Sequence, residues 1–114
     1  MIEYGHPPRG TPKNYLTAWL LVVLKGRDLH GYEITKILRE RFHVECDAGT
    51  VYRVLRQLES EGCILSQWLT QEHGPVKRVY TLTDVGLRLL SQWYTALTQY
   101  RATLEAFFML SGEA

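Results

Sequence analysis

At 114 residues the chain has the length of one domain. Its apolar share of 46% and charged share of 22% are those of a folded globule and exclude a disordered tail. Two cysteines, Cys46 and Cys63, are too few for a disulfide scaffold and are expected to be reduced. The longest apolar run, Ala18 to Leu24, falls far short of the ~20 residues of a membrane span. Arg9 and Lys13 precede it without a cleavage-like pattern, so no signal peptide is read and a cytoplasmic protein is expected. The net charge of +1 excludes little; residues 1–82 carry eleven basic and nine acidic side chains, residues 83–114 two and three.

In chain order, residues 1–11, with Pro7, Pro8 and Gly10, read as a flexible arm. Thr11-Pro12 predicts a helix start, N-cap then first-turn proline, and Gly26 its end. This first helix is apolar nearly all round, so it needs cover on every side and hints at a partner subunit. A second helix spans about Gly31 to Arg41, with Ile34, Ile37 and Leu38 on one face. A third follows Asp47, a good N-cap, and buries Val51, Val54, Leu55 and Leu58 before Gly62. Two strand-like runs, Cys63 to Thr70 and Val76 to Leu82, flank a turn at Gln71 to Pro75. Thr83-Asp84 then opens a helix of about 27 residues, long for so small a domain.

Three helices followed by a hairpin is the winged helix-turn-helix order. The expected fold is mainly α with a small β-hairpin, a winged helix-turn-helix over 12–82 and a dimerisation helix over 83–114. On the third helix the buried stripe turns Gly49, Arg53 and Arg56 outward, flanked by Thr50, Tyr52 and Gln57. Arginine pairs bidentately with guanine and glutamine with adenine. Hydroxyls and a helix N-terminus suit phosphate oxygens. A plain solvated helix face is the competing reading. Lys77 and Arg78 beside the hairpin tip add a basic wing.

Three segments resemble the PadR family of bacterial transcriptional regulators. They are His30-Gly31-Tyr32-Glu33-Ile34, then Gly49 to Leu55 with Leu58-Glu59 and Glu61-Gly62, then Lys77 to Thr83 with Gly86. The resemblance runs from Pro12 onward. It implies a homodimer with paired C-terminal helices that meets a palindromic operator in double-stranded DNA. Thr50, Tyr52, Arg53, Arg56, Lys77 and Arg78 become DNA contacts, joined by Gln57 from the outer face. Pro12 to Leu16, Gly74-Pro75, Ser91-Gln92-Trp93 and Gln99-Tyr100 are similar to the branch that represses polyhydroxybutyrate-granule genes.

On the last helix Leu90, Trp93, Leu97, Tyr100, Leu104 and Phe107 recur by three and four, a seam over more than two heptads. Burying six such side chains is worth on the order of 10 kcal/mol before entropy is subtracted. Trp19, Trp93, Tyr94 and Tyr100 are candidates to line an aromatic pocket for a small hydrophobic effector; dimer core is the other reading. His43, Glu45, Cys46, Cys63 and His73 follow no zinc-finger spacing, so no metal or cofactor is expected. No Gly-x-Ser-x-Gly, phosphate loop or paired acids suggest an enzyme. The reading is a sequence-specific DNA-binding regulator, a repressor released by its effector. The alternative is a winged-helix interaction module that does not read DNA.

Overall fold

The structure, a computed structural model, describes residues 14–69, 74 and 76–112. The elements are α1 (Tyr15–Val23), β1 (Leu29–His30), α2 (Gly31–Arg41), α3 (Ala48–Ser60), β2 (Ile64–Leu69), β3 (Lys77–Leu82) and α4 (Asp84–Ser111). The expected arm and the Thr11-Pro12 cap lie outside the described residues. Helix α1 begins later than the Thr-Pro signal suggested, with Asn14 at its N-cap in the left-handed region and no side-chain cap bond.

Local chemistry explains the helix starts. At α2 the His30 Nδ1 accepts from the Glu33 N–H at 3.3 Å, and the Glu33 carboxylate accepts from the His30 N–H at 3.2 Å. This reciprocal capping box satisfies two otherwise orphaned donors. At α3 the Asp47 carboxylate accepts from the Thr50 N–H at 2.8 Å and from its hydroxyl at 2.9 Å. These bonds hold the Asp47 carboxyl below its ordinary range. At α4 the Thr83 hydroxyl accepts from the Gly86 N–H and donates to the Gly62 carbonyl.

The core lies between three helices and the sheet. Leu20, Leu21 and Leu24 from the first helical segment meet Ile34 and Leu38 of α2, Val51, Leu55 and Leu58 of α3, and Ile64 and Tyr80 of the sheet. Helix α1 is therefore covered largely by its own domain, so its need for cover on every side does not by itself call for a partner subunit. It sits centrally, with α2, α3 and α4 packed around it. Val22 remains exposed, and Trp19 is half-buried.

The sheet has three strands, not two, in the order β1-β3-β2, all antiparallel. Two residues of β1, Leu29 and His30, pair with Tyr80 and Val79. So short a strand leaves no alternating pattern to read in the sequence. In the hairpin Trp68 stands opposite Arg78, Ser66 opposite Tyr80, and Leu69 opposite Lys77.

Helix α4 splits into two environments. Gly86 is buried, and Leu89, Leu90 and Trp93 pack against the core. The first turns thus belong to the same core as the helix-turn-helix. Beyond Leu97 every described residue is exposed, including Leu104, Phe107 at 61% and Leu110 at 90%. A 28-residue helix is about 42 Å long, and more than a third of it runs on past the core.

Candidate nucleic-acid interface

The outer side of α3 carries two flanks rather than one face. Tyr52 and Arg56, one turn apart, look toward the wing. Thr50, Arg53 and Gln57 look the other way, into a cleft of about 610 Å³ shared with the start of α1 and with Leu89 and Trp93 of α4. Arg53 and Arg56 are exposed, and among the described residues neither makes a hydrogen bond or an ion pair. Both guanidinium groups keep their donors for a ligand. Gln57 is likewise exposed.

Two of the expected contacts are partly committed elsewhere. The Thr50 hydroxyl proton is given to Asp47, which leaves its lone pairs, not its donor, for another group. Tyr52 lies across the first residue of α2. A Cβ on Gly31 would stand 2.4 Å from the Tyr52 ring, so only glycine permits this approach. The ring thereby ties α3 to α2, and its hydroxyl sits at the α2 N-terminus, where free N–H groups favour anions.

The wing residues separate. Alternation along β3 sends Lys77 to one face of the sheet and Arg78 to the other. Both still border the cleft between the wing and α3. Arg78 turns inward. Its Nη2 donates to Glu59 of α3 at 3.0 Å, and its Nε donates to the Ser66 hydroxyl at 2.8 Å. Its guanidinium stacks over Trp68 at 5.5 Å and Tyr80 at 6.0 Å. The Ser66 hydroxyl in turn donates to Glu59. Burial pushes the Tyr80 phenol up, against the pull of the nearby Arg78 charge. Lys77 stays on the outer face without an ion pair among the described residues.

Between α3, the α2 N-terminus and the wing lies a cleft of about 490 Å³, lined by Tyr32, Tyr52, Arg56, Trp68 and Arg78 among others. Sequence reasoning passed over Glu59, Ser66 and Trp68. A period-two reading of Ser66, Trp68, Arg78 and Tyr80 on one strand face would have flagged them.

A second, apolar groove of about 390 Å³ runs between α1 and α4. Trp19, Trp93 and Tyr94 of the expected aromatic set line it, with Tyr15, Val22 and Leu97; Tyr100 does not. Trp19 stacks on Phe42 at 5.3 Å and meets Tyr15 edge-on at 6.2 Å. Its indole Nε1–H is buried with no acceptor among the described residues. Among the described residues no group of three or more His, Cys, Asp or Glu is placed to hold a metal ion. Cys46 and Cys63 lie beyond opposite ends of α3, and burial raises both thiols. No helix among those residues is long and apolar enough to cross a membrane.

A helix-turn-helix followed by an antiparallel wing, with unpaired arginines on the outer side of the third helix, defines a winged-helix regulator. Residues 20–92 match the Transcriptional regulator PadR-like family. The negative transcriptional regulator PadR of Bacillus subtilis (strain 168) is 31% identical over 95 residues, covering 82% of this chain and 52% of its own. The chain thus spans about half the length of that curated relative. A PadR family transcription regulator from Clostridium difficile R20291 superposes with a TM-score of 0.76 at 27% identity, covering 83% of this chain and 99% of its own. Bacillus subtilis PadR in complex with operator DNA gives 0.68 at 30% identity, covering 75% and 49%. The chain belongs to the PadR-like family of transcriptional regulators. That family consists of regulators and not of enzymes.

Proposed function

We propose that the protein is a sequence-specific repressor that binds a palindromic operator as a homodimer. The observation that carries DNA binding is the pair of exposed, unpaired guanidinium groups of Arg53 and Arg56 on α3. The similar Bacillus subtilis PadR was crystallised in complex with operator DNA, which supports DNA as the partner here. Arg53, Arg56 and Gln57 take the base edges; Tyr52 and Lys77 take the phosphates, and Thr50 joins them by turning its hydroxyl from Asp47. A regulator of this kind works where the chromosome is, in the cytoplasm.

The second copy is argued from α4. Tyr100, Leu104 and Phe107 continue the seam of Leu90, Trp93 and Leu97 past the point where the domain ends. An identical helix covers such a stripe by the same knobs-into-holes spacing that the seam shows. The apolar groove at Trp19, Trp93 and Tyr94 abuts that seam, and we assign it to a small hydrophobic or aromatic effector that releases the repressor. Kinship to the polyhydroxybutyrate-granule branch rests on sequence segments only.

A mobility-shift titration with the DNA upstream of the protein's own gene tests the reading. With three to four phosphates neutralised per protomer, log K falls against log salt with a slope of about −5 to −7. Salt-independent association, or no retained fragment in a genomic selection, would leave a winged-helix interaction module instead. Saturable tryptophan quenching by aromatic ligands tests the groove; its absence across a hydrophobic panel removes the effector site.

A further inference from the structure

Among the described residues Arg78 is the one basic side chain on the inner face of β3, and it meets groups from three elements, two of which the Ser66–Glu59 bond also joins directly. Glu59 belongs to α3, one turn beyond Arg56. Ser66 and Trp68 belong to β2, and Tyr80 to β3. Two of its nitrogens are bonded, one to Glu59 at 3.0 Å and one to Ser66 at 2.8 Å. Its planar group faces Trp68 and Tyr80 at cation–π distance. An isolated exposed ion pair would add little. Here the guanidinium is held by four groups on three elements, and both Glu59 and Arg78 are partly shielded, at 29% and 41% side-chain exposure.

We propose that Arg78 is a positioning residue that locks the angle of the wing against α3, rather than a phosphate contact. The proposal rests on the DNA-binding reading of α3. Its physical content is that Glu59 is the α3 group that the hairpin holds, through the Arg78 guanidinium and through the Ser66 hydroxyl. Trp68 is 64% exposed there and has the Arg78 guanidinium for a neighbour. Releasing Arg78 lets the β2–β3 hairpin swing while its backbone pairing persists. Lys77, carried on the opposite face of the same strand, then loses its fixed distance from Arg53 and Arg56. Affinity falls, yet no phosphate contact is removed.

Two classes of role give opposite signs in one variant. If Arg78 gripped phosphate, Glu59→Gln would free its charge and remove a carboxylate near the DNA, so affinity would rise and the salt slope would steepen. If Arg78 positions the wing, Glu59→Gln weakens binding about 3- to 10-fold with the slope unchanged, and Arg78→Ala weakens it about 10-fold, also with the slope unchanged. Lys77→Ala, by contrast, lowers the slope by about 1 per protomer. The double exchange Glu59→Arg with Arg78→Glu restores a substantial part of the loss.

The experiment is a salt series of operator affinities on the full chain for these variants. It is paired with fluorine NMR of 5-fluorotryptophan-labelled protein, the Trp68 line being assigned by Trp68→Phe. In the absence of DNA, Glu59→Gln and Arg78→Ala should both move or broaden the Trp68 line while the Trp19 and Trp93 lines stay in place. That pattern also shows the core to be folded. A tighter Glu59→Gln complex, a slope change for Arg78→Ala equal to that of Lys77→Ala, or an unmoved Trp68 line overturns the proposal. If the unaltered protein retains no DNA at any salt, the DNA-binding reading fails, and the fluorine lines still decide whether Arg78 holds the wing.

Discussion

Gly86→Ala tests how α4 is joined to the rest of the chain. A Cβ at this position would lie 2.2 Å from the Cys63 carbonyl oxygen, 2.5 Å from Leu82 Cδ1 and 3.1 Å from the Cys63 carbonyl carbon. Ordinary carbon contacts sit near 3.5 Å, so α4 and the β2 entry must part by roughly an ångström. The Leu82 methyl can rotate aside; the Cys63 carbonyl is backbone and cannot. That carbonyl already accepts from the Thr83 N–H at 3.0 Å, and the neighbouring Gly62 carbonyl accepts from the Thr83 hydroxyl at 2.6 Å. Overpacking costs about 1–3 kcal/mol, and loosening two hydrogen bonds about 0.5–1.5 kcal/mol each. Replacing a helical glycine returns up to about 1 kcal/mol. The net loss is about 2–4 kcal/mol, a fall in Tm of roughly 8–16 °C for a domain of this size. Differential scanning calorimetry at a fixed protein concentration measures it, because association makes Tm concentration-dependent. A variant that melts within about 2 °C of the parent would show that the junction yields freely.

Other perturbations address the remaining parts. Phe107→Asp and Leu104→Asp place a charge in the proposed α4 seam. Sedimentation equilibrium should show a dimer dissociating at concentrations where the parent stays associated; an unchanged mass would place the second copy elsewhere. Arg53→Ala should relax base preference at one operator position by about 1–3 kcal/mol. Lys77→Ala should weaken all DNA about equally; the reverse pattern in a binding-site selection would exchange their roles. The Asp47 carboxyl, lowered by its bonds to Thr50, stabilises the folded chain above its unfolded pKa, and that contribution disappears as pH falls through the folded value. Asp47→Asn should therefore flatten the acid limb of the stability curve; an acid limb identical to the parent's would deny the cap this role.

The helices were legible because their signals are local. Asp47 and Thr83 cap where their sequence positions suggested, and the stripe of Val51, Val54, Leu55 and Leu58 is buried as its spacing required. The seam of α4 was equally plain, since an apolar residue every three or four positions needs no partner to be counted. Less legible was anything that depends on which face meets which. Helix α1 read as needing cover on every side, which hinted at a partner, but three helices of its own domain pack around it. Strand β1 was invisible at two residues, because pairing with β3 alone defines it.

The wing shows the division most sharply. Adjacent basic residues in the sequence, Lys77 and Arg78, read as a basic wing. Strand alternation sends them to opposite faces, and only the packing of β3 against α3 decides that Arg78 meets Glu59. Order of elements, caps and apolar stripes follow from the chain because each is written within a few residues. The pairing of a charge with its partner nineteen positions away does not, because it exists only when two elements have docked.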